Sequence, residues 1–213
     1  MKVKIIATAA DADAILERVA ASANRALEKL REVHSGSDAM MALWQMKVGP
    51  TGCDPLDPDT SLNLIEQLNQ TFTYMASALA VRTLLALHPE EAPFTLNLGT
   101  TAGLDIESMS GAIAAEVFAA VNPQNNRKLA KDITKVAASS AREKYVFFMC
   151  PGYAEGPQPT LGKGSDVSIW SVGTALLDGT RQVMQLASAP HPHSPPTQNH
   201  HQTAHQADPR SAD

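Results

Sequence analysis

The chain has 213 residues, 44% of them apolar, and a formal net charge of -5. That is enough apolar material for one real core, with an appended piece, and the acidic balance excludes a protein that coats nucleic acid through net charge alone while leaving room for a local basic face. Two cysteines, Cys53 and Cys150, with no C-x-x-C pair argue against a disulfide-stapled secreted scaffold, although a single bridge stays open. From the N-terminus, the apolar run after Lys4 meets Asp11 and Asp13 too soon for a signal-peptide core. No stretch approaches the ~20 apolar residues of a membrane span. The expectation is a cytoplasmic protein with no membrane partner.

Over residues 11–33 the apolar positions Ile15, Leu16, Val19, Ala23, Leu27 and Leu30 recur at helical spacing, with Asp11 as the expected N-cap. Residues 39–46, including Trp44, form a second short helix. Residues 49–58 hold three prolines and two glycines and read as a loop. A long helix comes next, capped by Asp59, Thr60 or Ser61 and ending near Leu87 before Pro89, with Ile65, Leu68, Phe72, Met75 and Leu79 as its buried stripe.

The period then changes. Residues 94–98, 104–109 and 113–121 read as strands, and residues 125–141 return to helical spacing through Leu129, Ile133 and Val136. Asn125 and Asn126 are its expected caps. Residues 145–150 are a continuous apolar run, as in a strand buried on both faces. Residues 167–172 offer another strand after a Gly/Pro-rich loop, whose Gly162-Lys163-Gly164-Ser165 lacks the spacing of a phosphate loop. The tail from Ser188 is rich in Pro, His, Gln, Ser and Thr and reads as disordered. Its histidines, such as His191, His200 and His205, fix no metal geometry by composition alone. The organisation is thus an N-terminal helical region over 1–58, an α/β core over 59–187, and the tail over 188–213.

The most informative stretch surrounds Ser110-Gly111, which sits between two alternating runs as a two-residue hairpin turn does. In that register Met109 opposes Ala112, Asp105 opposes Glu116, and Glu107 opposes Ala114 on the same face. Leu104, Ile106, Ile113, Ala115 and Val117 form the other, apolar face. Two carboxylates facing each other destabilise a ladder. A hard divalent cation, Mg²⁺ or Mn²⁺, gives such a pair a purpose, with Asp105 and Glu116 as ligands and Glu107 as an additional one. The bland alternative is a solvated acidic face.

The order of helix, three strands, helix and strand, with Asp105 early in the second strand and Glu116-Val117-Phe118 in the third, resembles the PD-(D/E)xK nuclease superfamily. The resemblance covers residues 61–150. It implies a mixed central β-sheet flanked by helices, with a restriction-endonuclease-like αβββαβ core. It further implies a Mg²⁺-dependent endonuclease acting on DNA, for instance a type II restriction enzyme working as a homodimer. Phe118 departs from the family, because it stands where the motif lysine belongs. Lys128, Lys131, Lys135 and Arg142 fall on one face of the next helix and are the replacements on offer, both for catalysis and for phosphate contact. A helix rises about 1.5 Å per residue against about 3.3 Å for a strand, so the returning helix regains the level of Glu116 after about 11 residues. That favours Lys135, with Lys131 next and Lys128 last. Glu66 is weighed as a third acid, and a plain surface role suits it better. The competing expectations are a catalytically inactive nuclease-fold module that binds nucleic acid or protein, and an unrelated α/β interaction domain with a fortuitous acidic pair.

Overall fold

The computed structural model describes residues 3–36, 38–99 and 102–173. The histidine-rich tail lies outside the described residues. Helices α1 (Ala9–Gly36), α3 (Leu64–Leu87) and α4 (Lys128–Ala137) pack on a mixed seven-stranded sheet, and α2 (Ala39–Val48) packs against α1 and α3. Its strands are β1 (Val3–Ile6), β4 (Phe94–Asn97), β5 (Ile106–Ser108), β6 (Ile113–Ala119), β7 (Glu143–Met149), β8 (Gly156–Pro157) and β9 (Ser168–Ser171), in the order β1-β4-β5-β6-β7-β9-β8. A separate hairpin pairs β2 (Gly52–Asp54) with β3 (Asp57–Leu62). The chain is therefore an α/β protein, and from α3 onward its main elements take the expected order of helix, three strands, helix, strand. Among the described residues no helix is long and apolar enough to cross a membrane.

Strands β4 and β5, and β5 and β6, pair antiparallel, whereas β6 and β7 are parallel. A parallel pair needs a crossover, and α4 supplies it. α1 and α3 cover one sheet face, joining Val19, Val81 and Leu84 to Phe94, Ile106, Val117 and Phe147 in one cluster. α4 covers the other face, where Leu129 and Val136 meet Phe118, Val146 and Phe148. With helices on both sides, residues 145–150 are all buried, as their unbroken apolar run requires. The first cluster also takes Ile6, Ala12, Ile15 and Leu56.

Several local expectations are corrected. α1 starts two residues before Asp11, which is not the N-cap. Thr8 and Asp11 instead form a reciprocal pair, Thr8 N donating to Asp11 Oδ2 at 2.8 Å and Asp11 N donating to Thr8 Oγ1 at 3.3 Å. Leu27 is exposed, and Ala26 and Ser22 take the buried positions. Residues 52–62 form a hairpin in place of a loop and a helix cap, and α3 is capped by Asn63 in a capping box with Glu66. A side chain at position 52 would collide with Gln67, so the glycine there permits the approach of hairpin to helix.

The stripe expected to be buried on α3 is also corrected. Ile65, Leu68 and Phe72 are exposed, while Gln67, Thr71 and Ser77 are buried. The buried half is polar because its groups are satisfied. Gln67 Nε2 donates to Ser22 Oγ at 2.9 Å, its Oε1 accepts from Cys53 N at 3.0 Å, and Thr71 Oγ1 donates to Gln67 O at 2.8 Å. Asn125 and Asn126 do not cap α4. Residues Asn125–Arg127 form a 3₁₀ turn, and Asn126 and Arg127 take positive φ of 54° and 57°.

Candidate active site

The hairpin register is the one the alternation requires, with Ile106 opposite Ala115 and Glu107 opposite Ala114. Its turn is wider than two residues. Gly111 N donates to Ser108 O at 2.9 Å, Gly111 sits at φ +74°, and Ser108 Oγ takes Ile113 N at 3.0 Å in place of a ladder bond. The ladder also stops short of Leu104, which turns away and packs in the α4 cluster and not on the face of Ile106.

Asp105 stands just before β5. Its main-chain carbonyl accepts from Asn97 N at 2.8 Å, and its Oδ2 accepts from Val117 N at 2.8 Å. One carboxylate oxygen thus replaces a main-chain acceptor at the end of the ladder, which fixes the side chain on β6 beside Glu116. Glu116 itself is 2% exposed. It points to the face covered by α4, and there Lys135 Nζ lies 2.7 Å from its Oε1. This charge-assisted contact with Lys135 is the partner of a carboxylate oxygen that is otherwise buried. The two acids and Lys135 line a cavity of about 370 Å³, completed by Thr73 and Ser77 of α3, Asn97 and Lys128.

Burial sets the electrostatics. Desolvation is the largest influence on Asp105 and pushes its pKa above the ordinary aspartate value, against the Val117 N–H and the fields of Lys135 and Lys128. Glu116 is raised as well, first by burial, with Asp105 adding to it and the Lys135 contact opposing it. Burial works against the Lys135 ammonium, but Glu116, Asp105 and Asp132 together outweigh it and hold its pKa above that of a free lysine. The lysine remains a cation at every pH of interest.

Of the other sequence-predicted residues, Lys128 reaches the cavity wall but is held by Asp132, with Nζ to Oδ1 at 2.7 Å, and rests 5.7 Å from the Phe118 ring centroid. Lys131 is exposed and does not line the cavity. Glu107 is likewise exposed on β5 and stays outside it. Arg142 sits beyond the end of α4 and pairs with Glu91 at 3.2 Å. Glu66 is engaged in the α3 cap. Phe118, where the resemblance expects the motif lysine, is 4% exposed, stacks on Phe148 with ring centroids 6.0 Å apart, and also borders the cavity.

Sequence reasoning missed Asp132, a carboxylate 3% exposed whose Oδ2 is buried without a hydrogen-bond partner. Its signal was the Lys128–Asp132 spacing of four on a helix face. It also missed Thr73 and Ser77, polar residues one helical turn apart in a mostly apolar segment. Among the described residues, no group of three or more His, Cys, Asp or Glu is gathered as a metal cage. Two neighbouring acids on one cavity wall are the donor type that suits a cation keeping most of its waters, as Mg²⁺ does, although Glu116 Oε1 already meets the Lys135 ammonium. No family model, curated protein or solved structure matches the chain.

Proposed function

We propose that this chain is a nuclease of the restriction-endonuclease-like, PD-(D/E)xK kind that hydrolyses DNA phosphodiester bonds with Mg²⁺ or Mn²⁺. The observation that carries the reading is the 2.7 Å approach of Lys135 to Glu116 across a cavity that Asp105 also lines. It supplies from α4 the ammonium that Phe118 cannot, at the level where helix and strand rises favour it. The element order from α3 to β7 supports the same likeness.

Asp105 and Glu116 would hold the cation, which supplies a water of lowered pKa and offsets charge on the phosphate. Val117 N–H orients the Asp105 carboxylate, leaving Oδ1 free of that bond. Lys135, kept charged by its acidic neighbours, faces the cavity from the opposite side to the ladder. There it stabilises negative charge developing on a bound phosphate. Lys128, on the same wall, offers a second phosphate contact. Lys131 and Arg142 are too peripheral for chemistry, and their part is long-range attraction of the polyanion.

A second reading, an inactive module that binds nucleic acid or protein, draws on the burial of Phe118. The test is cleavage of supercoiled plasmid and single-stranded DNA with Mg²⁺ or Mn²⁺, with Asp105→Ala alongside. Cleavage by the native chain that disappears in the variant supports the nuclease. Equal cleavage by both removes this site from the reaction. No cleavage by either, with DNA still bound, favours the inactive module.

A further inference from the structure

α3 carries an apolar stripe that nothing in the described fold covers. Ile65, Leu68 and Phe72 are each 41% exposed, and Met75 and Leu79 continue the line toward the sheet half-buried. Beside Phe72 the surface dips into an apolar groove of about 390 Å³ between α3 and the ends of β6 and β7, floored by Ala119, Val121 and Met149. A run of this kind on a charged molecule calls for an occupant.

The chain itself arrives at the head of this stripe. After β9, Gly173 takes φ +76° against Met149 and Leu79, where any side chain would collide with both. Beyond Gly173 two short apolar clusters flank the polar run Asp178-Gly179-Thr180-Arg181-Gln182. Leu176, Leu177, Val183, Met184 and Leu186 precede the Pro/His/Gln-rich stretch, with Leu176 and Val183, and Leu177 and Met184, seven residues apart. In a helix that spacing would place these apolar side chains on one side. Length fits as well. From Leu79 to Ile65 α3 spans about 21 Å, which residues 174–187 cover even at the helical rise of about 1.5 Å per residue.

We propose that residues 174–187 dock along the Leu79-Met75-Phe72-Leu68-Ile65 stripe of α3 and close the groove beside Met149. Tethering favours this occupant over a second molecule, because the segment starts at the stripe and so stands at high effective concentration.

Hydrogen exchange of the full chain, read by mass spectrometry, tests it. Peptides within 174–187 are expected to exchange at least about tenfold more slowly than those within 190–213. Two paired variants, Leu68→Glu with Phe72→Glu and Leu177→Asp with Met184→Asp, are expected to bring that segment to the rate of the tail. Protection of Glu143–Met149 should persist in both. The second pair lies outside the described core, so it reports on docking even if the first unfolds the protein. Exchange of 174–187 at the tail's rate in the native chain overturns the proposal. So does protection that appears only with a concentration-dependent dimer in sedimentation, which would make a second copy the occupant.

Discussion

Replacing Lys135 with Met removes the cation that pairs with Glu116 among the described residues. At 2.7 Å the gross attraction is about 6 kcal/mol for an effective dielectric of about 20, and about 1.5 kcal/mol for bulk water. Glu116 is almost fully buried, but the Lys135 side chain is 48% exposed, so solvent screens the pair from one side. The net loss is therefore expected near the lower figure, about 1–2 kcal/mol at pH 7. For a domain of this size that lowers Tm by roughly 3–6 °C. The loss should vanish at low pH, where Glu116 is protonated and the lysine has no charge to meet. It should vanish also in a Glu116→Gln background at pH 7, which gives a double-mutant cycle its sign. Urea unfolding of the four proteins at pH 7 and in acid measures this. A Lys135→Met effect that is the same at both pH values, or additive with Glu116→Gln, refutes the pairing as the source.

The remaining predictions concern the same region. Asp105, Glu116 and Asp132 all have raised pKa values, burial being the first cause in each. The folded chain therefore holds their protons more tightly than the unfolded one, and the stability they contribute is full below the ordinary carboxylate values and declines as pH rises through the raised ones. A urea midpoint that falls across this range, flattens in Glu116→Gln, and recovers with Mg²⁺ at the higher pH is expected. A midpoint indifferent to Mg²⁺ would count against cation binding. Phe118→Lys, which introduces the residue type that the PD-(D/E)xK resemblance expects there, is expected to cost about 4 kcal/mol by placing an ammonium beside Phe148 and Leu129, and to add no cleavage. Calorimetry and the plasmid assay read the two halves separately. Gly111→Val has open space for its side chain but forces a β-branched residue into φ +74°, so a loss of about 1–2 kcal/mol is expected from the backbone alone. A Tm within error of the native chain would show that the turn relaxes.

How far the site was legible in the sequence differs from residue to residue. The pairing of Asp105 with Glu116 came from alternation around one turn, because a slip of one residue would have sent Ile106 and Val117 to the wrong face. The level of Lys135 came from two rises per residue, and needed only that α4 cover the carboxylate face, which Ala114 and Phe118 on that face in fact require of it. What hydropathy could not convey was the inner face of α3. Gln67 and Thr71 are buried there through a network that reaches Ser22 and Cys53, partners that lie far away in sequence, while the more apolar Leu68 and Phe72 stay outside. The β2–β3 hairpin was hidden for a related reason. Its prolines and glycines signal a loop, and the close packing of Gly52 on Gln67 appears only in three dimensions. β1, an edge strand four residues long, was too short to show a period.

The hydrogen bond from Val117 N to Asp105 has a mechanical meaning. Because one acid hangs from the main chain of the strand that bears the other, the Asp105 carboxylate is pinned to β6 and cannot swing away without giving up the Val117 bond. Lys135 stands on a different element, at the end of a long rotatable side chain that is half in solvent. The centre therefore divides into a fixed jaw and a movable one. If the proposed function holds, the adjustment to a phosphate would fall to the lysine, which would have to leave Glu116 to meet it.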